Sequence, residues 1–423
     1  MRIALLSYRS KPHCGGQGVY VRHLSRGLAG LGHEVEVFSG QPYPELDPPV
    51  TLTRVPSLDL YREPDPFRTP RPSEIRDGID LLELATMWTA GFPEPLTFSL
   101  RAARILGRRA GEFDVVHDNQ CLGYGLLRMQ RAGLPVVATI HHPITRDRDL
   151  DLAAAGLRRK LTLRRWYGFL AMQGRVARRI PTLLTVSRSS EADVAEAFDI
   201  PDGRLHTIPL GVDTALFAPS AAQAAAPGGA GPFRIACVAS ADMPLKGVGT
   251  LLEAVAKLRT EHDVRLDLVS RPTPGGATER LMDRLSVRDI VDVHSGIDDD
   301  ALAGLLAGAD VACVPSLYEG FSLPAVEAMS CGTALVASAA GALPEVVGTD
   351  GAAASLVPPG DAGALVSALG ALLTDPPRRR AMGAAGRARA VREFSWESVA
   401  AKTVEKYESA IAARRAGMRE GRC

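Results

Sequence analysis

The hydrophobic pattern of the N-terminal part of the chain alternates between strand-like runs and helical spacing. An apolar run at Arg2–Ser7 precedes a glycine loop at 15–18, and a second strand starts at Val35. Between them, apolar residues recur at the spacing of one helix face, at Tyr20, Val21, Leu24 and Leu28. This order of strand, helix and strand predicts a parallel sheet.

Further strands are predicted downstream in the same half, at 115–117, Val136–Ile140 and 182–186. Ser187 is placed to cap the helix that follows the last of them. The segment 43–95 is rich in proline and charge, and we expect it to be irregular.

The alternation begins again at residue 233. The predicted elements there are strand Phe233–Val238, helix Val248–Leu258, strand 266–269, helix 301–307, strand Val311–Val314, helix 323–329 and strand 334–337. The uncharged run 214–233 is broken by proline and glycine, which is typical of a linker.

The fold class predicted by this pattern is α/β, with two doubly wound Rossmann-like domains facing each other across a cleft. We place the first domain at 1–208, a linker at 209–232 and the second domain at 233–394. A C-terminal helical segment at 395–423 is placed to pack back on the first domain. Ligands of such sheets bind outside the carboxyl ends of the strands.

Composition narrows the class of protein. A net charge of +1 over 423 residues excludes a strongly basic nucleic-acid binder. The six cysteines are scattered without a CxxC pair, which favours reduced thiols in the cytoplasm over a disulfide framework or a zinc site. The first apolar run is too short for a signal peptide.

The strand Val311–Val314 runs into the most informative loop of the chain. Gly320 allows a tight turn just past the strand, and Pro324 suits the first turn of a helix. The backbone amides of Phe321, Ser322 and Leu323 would then be free donors at a positive helix end. This arrangement suits the binding of a diphosphate.

Two carboxylates flank this turn. Glu319 precedes it, and Glu327 follows eight positions later, a span of roughly 12 Å at most along a helix. That is the scale of a nucleotide sugar, so one carboxylate could take sugar hydroxyls while the other takes ribose hydroxyls. The alternative is that each is a solvated surface carboxylate.

The run PSLYEGFSLPAVEAMSCGTALVAS resembles the Glu-x7-Glu signature of the retaining GT-B glycosyltransferases of family 4. The resemblance extends to the segments GGQGVYVRHLSRGLAGLGHEV, PLGVDTALFAP and GALPEVVG, and so covers nearly the whole chain. It implies a GT-B fold and a metal-independent, retaining transferase that needs no cofactor. It also implies a nucleoside-diphosphate sugar donor, held mainly by the C-terminal domain.

The resemblance assigns roles to the donor-side residues. It implies that Glu319 contacts the hydroxyls of the transferred sugar, that Glu327 contacts the ribose and that Lys246 neutralises the diphosphate. Gly15 and Gly16 would close over the phosphates from the first domain. An exposed lysine at 246 and a plain turn at the glycines remain the alternatives.

The resemblance also implies that His141, after the strand Val136–Ile140, lies near the reacting sugar, with His142 as the adjacent alternative and a structural histidine as another. Asp118 and Asn119 follow the strand at 115–117, so they would face the predicted cleft and could bind the acceptor.

One position departs from the family pattern. Many members carry an arginine just after the strand that opens the second domain, where this chain has Ser240. Arg271, at the end of the strand 266–269, could supply the missing cation or could be an ordinary loop arginine.

A basic stretch bears on the partners of the chain. Residues 152–190 contain no Asp or Glu but many arginines, with aromatic residues interleaved. Residues 156–180 of this stretch could lie on an anionic membrane surface or bind an anionic acceptor. The third interpretation is a core helix with solvated or paired arginines.

The function predicted is retaining transfer of a sugar from a nucleoside-diphosphate sugar to a glycan, a lipid or a small metabolite. No residue of the matched set offers an obvious general base for inversion, so the leaving phosphate would accept the proton of the acceptor. A nucleotide-sugar epimerase or hydrolase of the same fold is one alternative. A non-catalytic nucleotide-sugar binder, suggested by Ser240, is the other.

Overall fold

The computed structural model describes residues 1–10, 16–220 and 231–420 and divides the chain into two compact units. The first unit comprises Met1–Ile208 and Val399–Cys423, and the second comprises Pro209–Ser398. Gly15, Cys14 and Cys423 lie outside the described residues, as does most of the uncharged run after 220.

The first unit is built on a parallel sheet. Its strands, within the described residues, are β1 (Arg2–Ser7), β2 (Glu34–Ser39), β3 (Thr51–Arg54), β4 (Val115–Asn119), β5 (Val136–Ile140), β6 (Thr182–Thr185) and β7 (Leu205–Thr207). Their spatial order is β3-β2-β1-β4-β5-β6-β7. Its helices are α1 (Gln17–Gly30), α2 (Gly78–Trp88), α3 (Glu94–Arg108), α4 (Tyr124–Arg131), α5 (Thr145–Ala154), α6 (Leu157–Trp166), α7 (Phe169–Ala177) and α8 (Arg188–Phe198).

The second unit repeats this plan. Its described strands are β8 (Phe233–Val238), β9 (Val264–Val269), β10 (Val291–His294), β11 (Val311–Val314), β12 (Ala334–Ser338) and β13 (Ser355–Val357), in the spatial order β10-β9-β8-β11-β12-β13. The helices are α9 (Val248–Leu258), α10 (Ala277–Leu285), α11 (Asp299–Gly308), α12 (Leu323–Ser330), α13 (Leu343–Val347), α14 (Ala362–Leu373) and α15 (Pro376–Phe394). A final helix, α16, spans Trp396–Glu420.

Both sheets are parallel at every described pairing, and their central strands are buried on both faces. Parallel strands covered by helices on each side become continuous apolar runs rather than alternating ones. For this reason the strands β1, β5, β8 and β11 have the bounds that the sequence predicted.

Each sheet changes its winding direction between two neighbouring strands. In the first unit these are β1 and β4, and in the second they are β8 and β11. The pairing of β8 with β11 covers only two positions, Ile235 with Val311 and Ala236 with Ala312. A crevice for ligands forms at such a switch point, outside the carboxyl ends of the strands.

The C-terminal helix belongs to the first unit from Val399 onward. Tyr407 is fully buried there, and its hydroxyl lies 2.6 Å from Nδ1 of His117 in β4. Nearer the end, Arg414 donates to the carbonyl of Gln130, at 3.2 Å.

The first residues of the predicted linker pack within the second unit. The amide of Val212 donates to the carbonyl of Phe394, at 2.8 Å, and Arg387 donates to the carbonyls of Thr214 and Phe217, at 3.0 and 2.9 Å. Residues 209–220 are therefore anchored on α15 and the turn that follows it.

The prediction that 43–95 is irregular was wrong in part, because β3 and α2 lie inside it. In α2, Asp80 and Glu83 are buried and pair with Arg101 of α3. In a sequence pattern, buried charged residues that pair with one another are indistinguishable from surface residues. The buried face of α2 therefore gave too little apolar periodicity for the helix to be predicted.

The cysteines at 121, 237, 313 and 331 are free and buried, as small hydrophobic residues would be. Within the part of the chain that the structure describes, no helix is both long and apolar enough to cross a bilayer.

Candidate active site

The loop after β8 carries Lys246 toward the loop after β11. Lys246 ends a short 3₁₀ turn, and Gly247 follows with a left-handed φ of 65°. A Cβ on Gly247 would lie 1.9 Å from the carbonyl oxygen of Pro315, so only glycine lets the two loops meet. The amide of Leu317 also donates to the carbonyl of Leu245, at 2.8 Å.

Glu319 is buried, and its carboxylate is held by two donors. Its Oε1 accepts from Nζ of Lys246 and from Oγ of Ser316, both at 2.8 Å. Its carbonyl accepts from the amide of Ala342, at 2.9 Å, and a Cβ on Gly341 would lie 2.2 Å from that oxygen. The loops after β8 and β11 therefore fix this carboxylate, and the loop after β12 fixes the backbone of the same residue.

The turn into α12 is left-handed at Ser322, with φ 90° and ψ 79°, and not at Gly320, to which the sequence assigned the turn. Such a backbone is strained for a residue other than glycine. The Oγ of Ser322 is buried and has no hydrogen-bond partner among the described residues. Pro324 lies in the first turn of α12, as predicted.

The first amides of α12 have no acceptor within the helix, and the positive end of the helix dipole lies there. Leu323, the first residue of the helix, is half-buried. The ring of Phe321 contacts the ring of Phe394, with centroids 5.8 Å apart, so this side chain belongs to the packing. A ligand at the turn would therefore meet the backbone of Phe321.

Glu327 lies in the second turn of α12. Its side chain keeps some solvent contact, but the surrounding protein reduces its hydration enough to raise its pKa to about 7. The charge of Asp299 adds to the rise. Glu327 thus gains or loses a proton near neutral pH.

Arg271 is exposed after β9, and its guanidinium lies near Gly296, in the loop after β10. Within the described residues it makes no contact with Lys246 or Glu319. Ser240 is exposed as well. The structure therefore does not bring Arg271 to the Lys246–Glu319 pair.

In the first unit, Gly16 caps the start of α1 with a left-handed φ of 70°, and its carbonyl accepts from the amide of Tyr20, at 2.9 Å. Nothing lies within 4 Å of a Cβ built on Gly16. Gly15, predicted to act with it, lies outside the described residues.

His141 is held rigidly after β5. Its Nε2 lies 2.7 Å from Oδ1 of Asn119, its amide donates to Oε1 of Gln120, at 2.8 Å, and the ring of Tyr20 meets it edge-on with centroids 4.6 Å apart. Burial lowers the pKa of His141 to about 4, so the ring is neutral at pH 7. His141 can therefore exchange hydrogen bonds without carrying charge.

The neighbouring His142 is exposed and lies in a different environment. Its Nε2 is 2.9 Å from Oδ2 of Asp147, and its carbonyl accepts from Nε2 of Gln120, at 3.1 Å. Of the two histidines, only His141 contacts the predicted acceptor residue Asn119.

Asp118 and Asn119 end β4 and are both buried. The amide of Leu122 donates to Oδ2 of Asp118, at 2.9 Å, whereas Oδ1 of Asp118 and Nδ2 of Asn119 have no hydrogen-bond partner among the described residues. Burial raises the pKa of Asp118 to about 7. His117, the preceding residue, is structural, because both its ring nitrogens are bound, to Tyr407 and to Thr139.

The sequence interpretation missed Ser316, which orients the carboxylate of Glu319. Its position three residues before that glutamate was the available signal, but a single loop serine is not specific. Among the described residues, no group of three or more histidine, cysteine or acidic side chains is arranged to hold a metal ion.

Two protein families together match most of the chain. Residues 14–216 match the family described as Glycosyltransferase Family 4, and residues 232–375 match the family described as Glycosyl transferases group 1.

Two curated relatives match over most of their length. The chain is 64% identical to the MMP alpha-(1->4)-mannosyltransferase of Mycolicibacterium hassiacum, covering 97% of this chain and 99% of that protein. It is 32% identical to the D-inositol 3-phosphate glycosyltransferase of Xylanimonas cellulosilytica, covering 97% of each.

Two solved structures resemble the chain over its length. One is the sucrose-phosphate synthase of Thermosynechococcus elongatus, with a TM-score of 0.70 and 26% identity over 97% of this chain and 99% of that one. The other is HepE of Anabaena in complex with UDP, with a TM-score of 0.67 and 18% identity over 97% and 100%. The predicted α/β GT-B fold class is confirmed by these likenesses and by the two parallel sheets.

Proposed function

Since this chain belongs to glycosyltransferase family 4, we propose that it is an α-(1→4)-mannosyltransferase that uses a nucleoside-diphosphate mannose and retains the configuration of the sugar. Its 64% identity to the mannosyltransferase is twice its 32% identity to the inositol-phosphate enzyme, which supports mannosyl transfer to a glycan. No further observation supports an epimerase, a hydrolase or a non-catalytic binder.

The observation that carries the proposal is the pairing of Lys246 with Glu319 at the switch point of the second sheet. In the donor complex, Glu319 would accept hydrogen bonds from mannose hydroxyls, and Lys246 would face the diphosphate. The amides at Phe321, Ser322 and Leu323 would bind its oxygens at the start of α12. Glu327 would take the ribose hydroxyls.

In the proposed reaction, the bond between the anomeric carbon and the phosphate oxygen breaks while the acceptor oxygen bonds to the same face of the sugar. The departing phosphate takes the proton of the acceptor hydroxyl. Lys246 and the α12 amides stabilise the charge that develops on the phosphate, which lowers the barrier. His141, neutral at pH 7, would hydrogen-bond a hydroxyl of the transferred mannose.

Within this proposal, neither a metal nor a cofactor takes part. Gly15 and Gly16 would approach the phosphates, and Arg271 would remain a loop arginine unless donor binding moves it. Asp118 and Asn119 would lie on the acceptor side.

We also propose a cytoplasmic enzyme that contacts an anionic membrane surface through 156–180. The helix α6 buries none of its residues, and Leu157 and Leu161 on it are 86% and 68% exposed. Four side chains of α6 have no partner among the described residues: Arg158, Arg159, Lys160 and Arg164. The core-helix interpretation applies to α7, which buries Leu170, Met172 and Val176.

The test is transfer by the purified protein. GDP-, UDP- and ADP-linked mannose and glucose are each incubated with an α-(1→4)-linked mannooligosaccharide or with D-inositol 3-phosphate. We expect one mannose donor to extend the oligosaccharide by an α-linked residue, as seen by mass spectrometry and NMR. That donor at 100 times its dissociation constant should add about 2.7 kcal/mol to the free energy of unfolding.

If the enzyme glycosylates D-inositol 3-phosphate and not the oligosaccharide, this proposal is wrong and the chain has the activity named for the second relative. Donor turnover without any acceptor would favour the epimerase or hydrolase. Donor binding with no turnover on either acceptor would favour the non-catalytic binder.

A further inference from the structure

Buried polar atoms without partners gather at one edge of the first sheet. Such atoms are rare in folded proteins, where more than about 90% of buried polar groups are hydrogen-bonded. Near the carboxyl ends of β1 and β4, four of them have no hydrogen-bond partner in the described part of the chain. They are the hydroxyl of Tyr61, Oε2 of Glu94, Oδ1 of Asp118 and Nδ2 of Asn119.

Contacts join the start of α3, which carries Glu94, to the loop after β4. Glu94 is the first residue of α3, and the carbonyl of the next residue, Pro95, accepts from Sγ of Cys121, at 2.9 Å. A Cβ on Gly123 would lie 2.4 Å from the same carbonyl. The loop 120–123 that holds Asp118 therefore packs directly on the start of α3.

The side chain of Glu94 is only 11% exposed, and Nη1 of Arg9 lies 3.6 Å from its Oε2, too far for a hydrogen bond. Burial raises the pKa of Glu94 to about 8, and Arg9 opposes the rise. At pH 7 much of this carboxyl is protonated, so it offers both a donor and an acceptor.

One cation and two carboxylates act on Glu94, so these charges do not select an anionic ligand. Glu83 and Asp59 both raise the pKa of Glu94, which means that they act on it as negative charges. Arg9 lowers the same pKa and therefore acts as a positive charge, so charges of both signs meet at this point. Burial also raises the pKa of the hydroxyl of Tyr61, so this group stays neutral.

An aromatic cluster at the edge of a small hydrophobic core adjoins these polar groups. The ring of Tyr61 lies 5.3 Å from that of Phe67, 5.5 Å from that of Phe92 and 5.8 Å from that of Trp166, between centroids. Phe67 is 60% exposed, although Tyr61 is buried. Apolar walls with a few placed polar groups are typical of small-molecule sites, and a pyranose presents both an apolar face and hydroxyls.

We infer that Tyr61, Phe67 and Glu94 form an acceptor subsite for an uncharged pyranose in the first unit. Glu94 and the hydroxyl of Tyr61 hydrogen-bond the sugar hydroxyls, and Phe67 packs against the apolar face of the ring. The subsite would determine which class of acceptor the proposed mannosyltransferase binds, so this inference rests on the proposed function. Arg9 after β1 and the loop after β4 place Glu94 near the β1–β4 switch point, and doubly wound sheets bind ligands at such points.

The experiment compares Tyr61→Phe, Glu94→Gln and Phe67→Ala with the unaltered protein. Trp88→Ala is the matched control, because Trp88 is 64% exposed at the end of α2 and makes no ring contact with the Tyr61 cluster among the described residues. For Tyr61→Phe and Phe67→Ala, we expect the KM for the mannooligosaccharide to rise about tenfold, a loss of about 1.4 kcal/mol. The KM for the donor and the thermal shift with the donor should stay unchanged.

Phe67→Ala keeps the test decisive if a change at the buried Tyr61 impairs folding. Unchanged acceptor KM in Phe67→Ala and in a folded Tyr61→Phe would refute the subsite and assign the unpartnered atoms to internal water. A change in donor KM of the same size as the change in acceptor KM would also refute it.

A second readout separates this inference from the proposed function. Binding of the mannooligosaccharide alone is followed by saturation-transfer NMR, which needs no turnover. Signal that Phe67→Ala abolishes and Trp88→Ala preserves would support the subsite even if no mannose donor were used. Transfer that proceeds normally in all these variants would instead support the function and refute the subsite.

Discussion

The Nζ of Lys246 lies 2.8 Å from Oε1 of Glu319, although the two residues are 73 positions apart in the chain. Strand order explains their meeting, because β8 and β11 are neighbours in the sheet and each residue follows one of these strands. Gly247 makes the approach of the loops possible. Both residues lie in the second unit, so the pair depends on the fold of that unit.

We predict that Glu319→Gln and Lys246→Met each lower kcat by about 10²–10³, because in the proposed reaction each removes a group that faces the sugar or its phosphate. Steady-state kinetics with the mannose donor would measure the loss. Lys257→Met is the control, since Lys257 is an exposed lysine on α9 of the same unit. Thermal melts should show both variants folded, and turnover near that of the unaltered protein in either one would contradict the assignment.

Gly247→Ala should destabilise the second unit. The new Cβ would lie 1.9 Å from a backbone oxygen, and the residue would keep a φ of 65°, so the loops must separate. A strained backbone costs about 1–3 kcal/mol before the clash is added. We expect a lower midpoint in denaturant and a weaker thermal shift with the donor.

Gly370→Ala is the matched control for that change. Gly370 lies within α14, and its nearest contacts to a new Cβ are at 3.7 and 3.8 Å, which is ordinary packing distance. Alanine is favoured over glycine in a helix by about 1 kcal/mol, so this variant should be as stable as the unaltered protein or more so. Equal losses in the two variants would rule out the loop contact as the cause.

The fold was predictable largely because buried parallel strands are continuous apolar runs. The strands β8 and β11 and the helix α9 were predicted with their observed bounds, and Ser187 caps α8 through the amide of Ser190. The edge strands β7, β10 and β13 were missed. They are short and less completely buried, so their apolar signal is weak.

Local sequence predicted Lys246, Glu319 and His141 as site residues, but it did not show the packing around Glu94. That environment combines the end of β1, the loop at Tyr61 and the loop after β4, which meet only through the strand order. Long-range contacts of this kind leave no periodic signal.

In contrast, the turn into α12 had a sequence signal but was assigned to Gly320, because glycine is the default left-handed residue, whereas the structure uses Ser322.

The membrane proposal predicts binding to anionic vesicles. The double variant R158Q/R159Q should bind vesicles containing phosphatidylglycerol about 30-fold more weakly, at about 1 kcal/mol for each cation near the surface. The control R378Q/R380Q removes two exposed arginines from α15 and should not change binding. Co-sedimentation that is insensitive to salt, or equal for both variants, would contradict contact through α6.

The last prediction concerns the buried carboxyl of Asp118. Burial raises its pKa from the ordinary value of 3.8 to about 7, so the folded state holds a proton that the unfolded state releases. This contribution to stability is full below about pH 4 and is lost as the pH rises to about 7. Asp118→Asn keeps an acceptor for the amide of Leu122 and cannot ionise. Relative to the unaltered protein, the variant should therefore gain a few kcal/mol between about pH 4 and pH 8, because each tenfold change in proton affinity is worth about 1.4 kcal/mol. Urea unfolding at the two pH values measures this change, and a difference between the two proteins that does not vary with pH would show that Asp118 ionises normally.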